Sequence, residues 1–412
     1  MQIQVLLPSQ STVELEQLPE LLPRPDNNVE PFSDEILQAC ANLSQRIMRD
    51  PQARRYPELL ALGFWMRKAE LIRLREEFRA LERTDRILVP RGVIFHLPPR
   101  NVDTMFVYSW LLAALTGNAN VMRLSPQRSE ATNVLLRLFA EGLAETPAIL
   151  AQTLVVSYGH EEEPTRLLSS HCDVRVIWGG DKAVQSIRSA PLPPHGRELT
   201  FPDRYSSSAL GTGPYMALDA AGRDKLADQF FNDAFWFDQA GCSSPRLVVW
   251  VGGREATAEA SVDFFTRVAE VVRRRNYMLS PAHSIQKLVF SAAATLDLPV
   301  TACRRVPELT VLTLDSLERF DRRHPGGGLF FEVTVGAITE LAPYLIRRDQ
   351  TLATFGVDAQ DLRTLLRQLN GRALDRVVPI GQALQFGRFW DGMDLLQEFC
   401  RHLYLAPEVG WR

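Results

Sequence analysis

Cysteine is scarce in this 412-residue chain, and the little there is excludes two classes of protein. The five residues, Cys40, Cys172, Cys242, Cys303 and Cys400, are odd in number, far apart and without a CxxC pair. That argues against a disulfide framework and against a zinc site, so no metal is expected. An excess of charge of one sign is missing as well: 46 Lys and Arg stand against 49 Asp and Glu, for a net charge of −3. The basic residues are scattered among acidic ones, and nucleic acid is not an expected partner. The amino terminus, MQIQVLLPSQSTVELEQ, has neither a basic leader nor a long apolar core. No secretory signal is expected, and the cytoplasm is the expected compartment. One uncharged run, Thr104–Met122, contains Tyr108, Ser109, Thr116, Gly117, Asn118 and Asn120. It reads as a buried helix followed by a turn, not as an integral membrane segment. Internal repeats and low-complexity tracts are also absent.

What is present is enough apolar material, 46% of residues, to fill the cores of two or three domains. A Pro-rich opening, Leu18–Phe32, leads into helical patterns at Asp34–Arg49 and Pro57–Arg83. From Arg86 strand and helix alternate. Short strands in ILVPRGVIFHLPP precede a helix at Thr104–Leu115, the strand ANVMRL, a helix at Ser129–Gly142 and the strand Thr153–Ser157. A helix around Glu161–Ser169, the strand Val174–Trp178 and a helix opening at Gly179-Gly180-Asp181 continue the series. Such order implies largely parallel sheets covered by helices. A second Pro-rich stretch, SAPLPPHGRE at 189–198, reads as an interdomain crossing. Beyond it, Asp224–Phe237 reads as a helix leading into the loop QAGCSSPR at 239–246, which runs into the strand Leu247–Val251.

That loop carries the strongest chemical signal. Cys242 sits among Gly241, Ser243 and Ser244, where substrate and backbone N–H donors can approach closely, whereas structural cysteines are walled in by large apolar residues. Gly179 and Gly180 follow a strand and open a helix, so N–H groups there could hold a phosphate; the ordinary alternative is a tight turn. Arg123 closes a parallel strand, where open α/β sheets place ligands, although most such arginines are solvated. Asn101, in PPRNVD, is either a helix cap or an amide donor to an oxyanion. Glu332, after the flexible HPGGG at 324–328, is either functional or a solvated strand end. His96, His195 and His283 read as structural.

In their order along the chain these features resemble the aldehyde dehydrogenase superfamily, and within it the acyl-CoA reductase branch, the fatty acid reductases of the LuxC family. The similarity runs from about Ile87 to Pro407. GVIFHLPPRNVD resembles the segment carrying the superfamily's oxyanion asparagine, which falls on Asn101. GNANVMRLS resembles its cofactor-ribose strand, with Arg123 in place of the usual lysine and Ser125 just after it. VIWGGDKAV resembles the pyrophosphate turn, with Gly179, Gly180 and Asp181. FDQAGCSSPR resembles the nucleophile loop, and Glu332 matches loosely a glutamate that holds the nicotinamide ribose. RSAPLPPHGRELTFPDRYS, QTLATFGVD and VVPIGQALQFGRFWDGMDLL are nearest to the reductase branch.

The resemblance implies an α/β, aldehyde dehydrogenase-like fold with two Rossmann-like domains, largely parallel sheets and the active site between the domains. A cofactor domain with N-terminal helices is expected over 1–205, a catalytic domain over 206–375, and a C-terminal segment, 376–412, returning to the cofactor domain or to an oligomer contact. It also implies reduction of an acyl thioester, from acyl-CoA or an acyl-carrier protein, to the aldehyde through an acyl-enzyme on Cys242. Pro202 occupies the place of the glutamate that activates water in aldehyde oxidisers, so the acyl-enzyme would survive until hydride arrives. NADPH is the expected cofactor: no acidic residue follows the ribose strand, and Arg123 and Arg128 are available to a 2′-phosphate. Two alternatives remain: an NAD(P)-dependent aldehyde dehydrogenase working oxidatively, and an acyl-accepting subunit of a complex with acyltransferase or ligase partners. A homo-oligomer is expected.

Overall fold

A computed structural model describes residues 1–25, 29–306 and 308–406. The chain forms two compact units, Met1–Pro202 with Phe386–Arg412, and Asp203–Gln385. Residues 407–412 of the expected C-terminal segment, and 26–28 of the Pro-rich opening, lie outside the described residues.

The sheet of the first unit uses β1 (Gln2–Leu7), β2 (Ser11–Glu14), β4 (Val93–Leu97), β5 (Ala119–Leu124), β6 (Thr153–Ser157), β7 (Val174–Trp178) and β8 (Arg197–Phe201), β3 being Arg86–Pro90. Their order is β2-β1-β6-β5-β4-β7-β8, with β1 antiparallel to its neighbours and the rest parallel. The continuous apolar runs of β6 and β7 are buried throughout because helices cover both faces. Alternate residues feed two cores: Ile94, Met122, Val155 and Val176 face one, Phe95, Val121, Val156 and Ile177 the other. The uncharged run is the helix Met105–Leu115, every residue of which is buried, followed by a turn into β5.

Two expectations are corrected. The helical pattern over 57–83 is two helices, Pro57–Trp65 and Lys68–Arg79. Arg67 breaks it by adopting an extended backbone while its side chain caps the first helix, donating to the Phe64 carbonyl at 3.0 Å with its guanidinium over the Phe64 ring. The stretch 189–198 is not a crossing between units. It links the helix Asp181–Arg188 to β8, and the units divide after Pro202.

The second unit's sheet contains β9 (Tyr205–Gly211), β10 (Pro245–Val251), β11 (Val300–Arg305), β12 (Thr310–Leu314), β13 (Leu329–Val335), β14 (Asp349–Phe355) and β15 (Arg376–Pro379). They are ordered β11-β12-β13-β10-β9-β14-β15, all parallel except the edge strand β11. Val248, Trp250 and Phe330 pack on one face and Leu247, Val249 and Phe331 on the other. The chain then returns to the first unit through β16 (Phe389–Trp390), β17 (Met393–Asp394) and β18 (Cys400–Tyr404), the last paired antiparallel with β3. Among the described residues no helix is long and apolar enough to cross a membrane, and no cluster of three or more His, Cys, Asp or Glu could hold a metal.

Candidate active site

Cys242 lies on the loop between the helix Ala220–Phe235 and β10. Asp238 and Gln239 turn the chain there with φ of 51° and 61°, a left-handed conformation that L residues hold only when their surroundings enforce it. Gln239 shows what enforces it. Its side chain is buried, donates to the carbonyls of Pro245 at 3.2 Å and Leu329 at 2.9 Å, and accepts from the Gly328 N–H at 2.8 Å. The Gln239 carbonyl accepts two bonds from the Arg246 guanidinium, at 3.1 and 2.9 Å, and Arg246 donates a third to the Arg204 carbonyl at 3.0 Å. The Ser206 hydroxyl donates to the Cys242 carbonyl at 2.7 Å and accepts from the Thr351 N–H at 3.2 Å. Ser243 donates to Gln350 at 2.9 Å. The loop that carries the cysteine is thereby held from four strands, β9, β10, β13 and β14.

The thiol itself is half-buried. Cys40, Cys172 and Cys400 are buried, and burial raises all three thiols, Cys172 and Cys400 to about 12, so they stay protonated and inert near neutrality. Cys303 is exposed on the edge strand β11. Burial lowers the pKa of Arg246, while negative charge on Cys242 is among the influences that raise it, so this cation and a Cys242 thiolate would favour each other.

Asp233, Gln239 and Arg246 escaped the reading of the sequence. Asp233 is 1% exposed on the helix that leads into the loop and accepts the N–H groups of Gly381 at 2.6 Å and Ala383 at 2.9 Å. Burial pushes its carboxyl up to about 7 against those bonds. It thus holds the turn whose Leu384 lies against Gly241: a Cβ on Gly241 would stand 3.3 Å from the Leu384 Cδ2 and 3.0 Å from the Ser244 Oγ. The only signal in the sequence was an acidic residue inside FFNDAFWF, a place where an unpartnered carboxylate would be costly.

In the first unit, three loops that follow adjacent parallel strands come to one edge of the sheet. Asn101 follows β4, Arg123 and Ser125 close β5, and Gly179 and Gly180 follow β7. Asn101 is exposed in a turn and is not a cap, since Thr104 holds the cap position of the helix Met105–Leu115. Gly180 is the N-cap of the helix Asp181–Arg188, and the Gly179 N–H is used by the Phe201 carbonyl at 3.2 Å. Arg123 donates to the carbonyls of Tyr158, at 3.2 Å, and Gly159, and burial lowers its pKa. Arg128 donates to the Ser125 carbonyl at 3.0 Å and to the Ser157 hydroxyl at 3.1 Å. Arg123, Ser125 and Arg128 line one cleft with Pro98 and Pro99.

Glu332 is placed elsewhere, in the middle of β13, opposite Val248. It is 5% exposed, not a solvated strand end, and accepts from Ser261 at 2.5 Å, Trp250 at 3.2 Å, Thr313 at 2.7 Å and Arg304 at 3.3 Å. His96 is buried between Ser109 at 2.7 Å and Asn120 at 3.0 Å, and burial pushes its pKa down to about 4, as suits a neutral structural imidazole.

Comparison with known proteins agrees with this architecture. Residues 72–286 match the family described as acyl-CoA reductase (LuxC). A long-chain acyl-protein thioester reductase of Aliivibrio fischeri is 30% identical over 166 residues, 40% of this chain and 33% of that protein. One from Photorhabdus luminescens is 23% identical over 339 residues, 78% of this chain and 66% of the relative. The matched stretches therefore span from a third to just under two thirds of these relatives. Among solved structures, aldehyde dehydrogenase 21 of Physcomitrella patens superimposes with a TM-score of 0.67 at 11% identity, covering 97% of this chain and 89% of that one. An NAD-dependent aldehyde dehydrogenase of Sinorhizobium meliloti gives 0.65 at 14% identity, covering 94% and 86%. The fold is that of the aldehyde dehydrogenases, and with the family match extending over more than half its length, the chain belongs to the acyl-CoA reductase (LuxC) family.

Proposed function

We propose that this protein reduces an acyl thioester to the aldehyde, with Cys242 as the nucleophile and NADPH as the reductant. The observation that carries the reading is the contrast among the cysteines: one half-buried thiol on a rigidly held loop beside a buried arginine, against three thiols raised by burial. In the first half-reaction the Cys242 sulfur, deprotonated, bonds to the thioester carbonyl carbon. The carbon–sulfur bond to the donor then breaks, and the donor leaves as a thiolate that takes up a proton. Asn101 and the Cys242 N–H are assigned to the oxyanion.

A helix N-terminus at Gly180 and two arginines with Ser125 at the ends of parallel strands suit a phosphorylated dinucleotide, and we assign the first unit to the cofactor, with Asp181 at the same turn. Bound there, a reduced nicotinamide would supply one hydride to the acyl carbon. Breakage of the bond to Cys242 then frees the aldehyde and restores the thiolate. Arg123 and Arg128 are assigned to the 2′-phosphate. Both arginines also bond their own unit, Arg123 through Tyr158 and Gly159 and Arg128 through Ser125 and Ser157, so the test compares the two cofactors in one variant. Glu332, with four protein partners, we assign to the interior of its own unit instead of to the ribose.

Pro202 supports reduction over oxidation, since it offers no proton acceptor where aldehyde oxidisers carry a base. The donor is a long-chain acyl group on CoA or on a carrier protein. The test is to mix the protein with acyl-CoAs of graded length, or the same acyl groups on carrier protein, and NADPH, following cofactor absorbance and trapping aldehyde. Aldehyde formed one-for-one with NADPH consumed supports the reading; fatty acid without cofactor consumption, or no turnover of any donor, refutes it.

A further inference from the structure

The helix Pro281–Asp297 is apolar on both of its sides. Its inward side packs Ala294 and Phe290 on the core, with Lys287 and Ser291 9% and 1% exposed, while Ile285, Leu288, Val289 and Leu296 are 63%, 53%, 64% and 87% exposed. With Ala292 and Ala293, these residues recur at intervals of three, four and seven and form a single stripe. An ordinary surface helix is polar on its outer side, and a contiguous apolar stripe there marks an interaction site.

We propose that this stripe is the contact between two copies of the chain, made by an antiparallel, two-fold pairing of the helix with itself. Size complementarity supports a second copy. An antiparallel pair centred between Phe290 and Ser291 sets Leu288 against the partner subunit's Ala293, Val289 against the partner subunit's Ala292, and Ile285 against the partner subunit's Leu296. Large residues meet small ones near the axis, as ridges and grooves require. Each contact occurs twice, as in an isologous interface.

Charge supports it too. The helix has only two charged side chains, the inward Lys287 and the terminal Asp297, which bridges to Arg323 at 3.2 Å. An apolar centre with charge confined to the rim is the anatomy of a protein interface. An acidic carrier protein would find no cation on the stripe. An anionic lipid surface is also a poorer fit, because Arg273 is paired with Glu308, Arg274 and Arg275 with Asp228, and Arg305, which donates to the Ser291 hydroxyl at 3.3 Å, is the single neighbouring arginine among these outside an ion pair. The inference does not depend on the chemistry of Cys242.

Sedimentation velocity of the full chain over a dilution series tests it, with circular dichroism as the check on folding. The wild type is expected to be a dimer that dissociates on dilution. Leu288→Glu and, separately, Ala293→Lys, both at exposed positions, should weaken the dimer about tenfold or more. Combining the two substitutions should restore it, because the pairing places each new charge opposite its complement. A wild type that stays monomeric, a dimer indifferent to Leu288→Glu, or a double variant no better than the singles overturns the proposal. Flotation with anionic phosphatidylserine vesicles discriminates the other occupant: a monomer that floats, and ceases to float as Leu288→Glu, assigns the stripe to a lipid surface and overturns self-pairing.

Discussion

The two units share an element that does different work in each. Both carry a strand, two glycines and a helix: β7, Gly179-Gly180 and Asp181–Arg188 in the first, β10, Gly252-Gly253 and Arg254–Arg274 in the second. In the second unit the glycine is a packing requirement. A Cβ on Gly252 would stand 2.8 Å from the Thr212 Cβ and 2.9 Å from its hydroxyl. In the first unit the nearest atom to a Cβ on Gly179 is the Ala183 Cβ, at ordinary contact distance, 3.4 Å. The leading glycine is thus required by packing in the second unit and not in the first.

The units also place their chemistry at opposite ends of their strands. In the first, the candidate groups follow the carboxyl ends of β4, β5 and β7, where loops can adapt to a molecule that comes and goes. In the second, Cys242 precedes the amino end of β10 on a loop held by Gln239, Ser206 and Arg246. A covalent nucleophile must meet its target within tenths of an ångström, and buried hydrogen bonds supply that rigidity.

The largest expected effect breaks the second unit alone. Cys242→Ala should abolish both turnover and acyl labelling while leaving cofactor affinity intact. Peptide mapping after exposure to a mass-tagged acyl-CoA checks it, and label on Cys172 or Cys303 would refute the assignment. Next comes the lifetime of the acyl-enzyme. Without a base at Pro202, hydrolysis should run about 10²–10⁴-fold slower than an assisted step. Intact-mass spectrometry should then show an adduct that persists until NADPH is added.

Arg128→Ala breaks the first unit alone. It should cost roughly tenfold or more in kcat/KM with NADPH, for a lost charge-assisted contact of about 1.5–3 kcal/mol, and little with NADH. Equal losses with both cofactors would remove Arg128 from 2′-phosphate recognition.

The glycine pair sharpens the comparison itself. Gly252→Ala should destabilise the protein by about 1–3 kcal/mol through overpacking, with cofactor binding unaffected. Gly179→Ala should leave the melting temperature nearly unchanged while weakening the cofactor. Calorimetry and a cofactor titration on both variants decide it.

The last test is a pH dependence. Asp233, raised to about 7 by burial, keeps a proton in the folded state that the unfolded chain has already released. Its contribution to stability therefore falls as pH rises from the ordinary carboxylate range to about 7, by on the order of 1.4 kcal/mol for each pH unit crossed. Melting temperatures of wild type and Asp233→Asn across that window should diverge in favour of the variant as pH rises. A constant gap would show that Asp233 does not titrate there.

Much of this architecture was legible along the chain. The parallel strands announce themselves as short apolar runs between helical patterns, and Ser129 marks where one helix begins, whereas the helix read from Asp224 starts a turn earlier, capped by Asp219. The cysteine loop stood out because small residues around a thiol are unusual. The break at Arg67 did not, since it depends on a cation folding back over Phe64, which spacing cannot reveal. Glu332 was legible as an acidic residue on a strand, yet its burial among Trp250, Ser261, Arg304 and Thr313 depends on which face of β13 meets the helix Arg254–Arg274.

By itself the order of residues determined the alternation of strand and helix, the parallel sheets and the candidate reactive thiol, because hydrophobic period and side-chain chemistry act over a few neighbouring residues. Tertiary structure alone decided what holds Cys242 in place, which leading glycine packing requires, and that the helix Pro281–Asp297 leaves an apolar stripe exposed. Those outcomes depend on contacts between residues far apart in the chain, such as Gln239 with Leu329 and Asp233 with Gly381. A buried polar group must find its partner wherever the fold brings one, and no local pattern records where that will be.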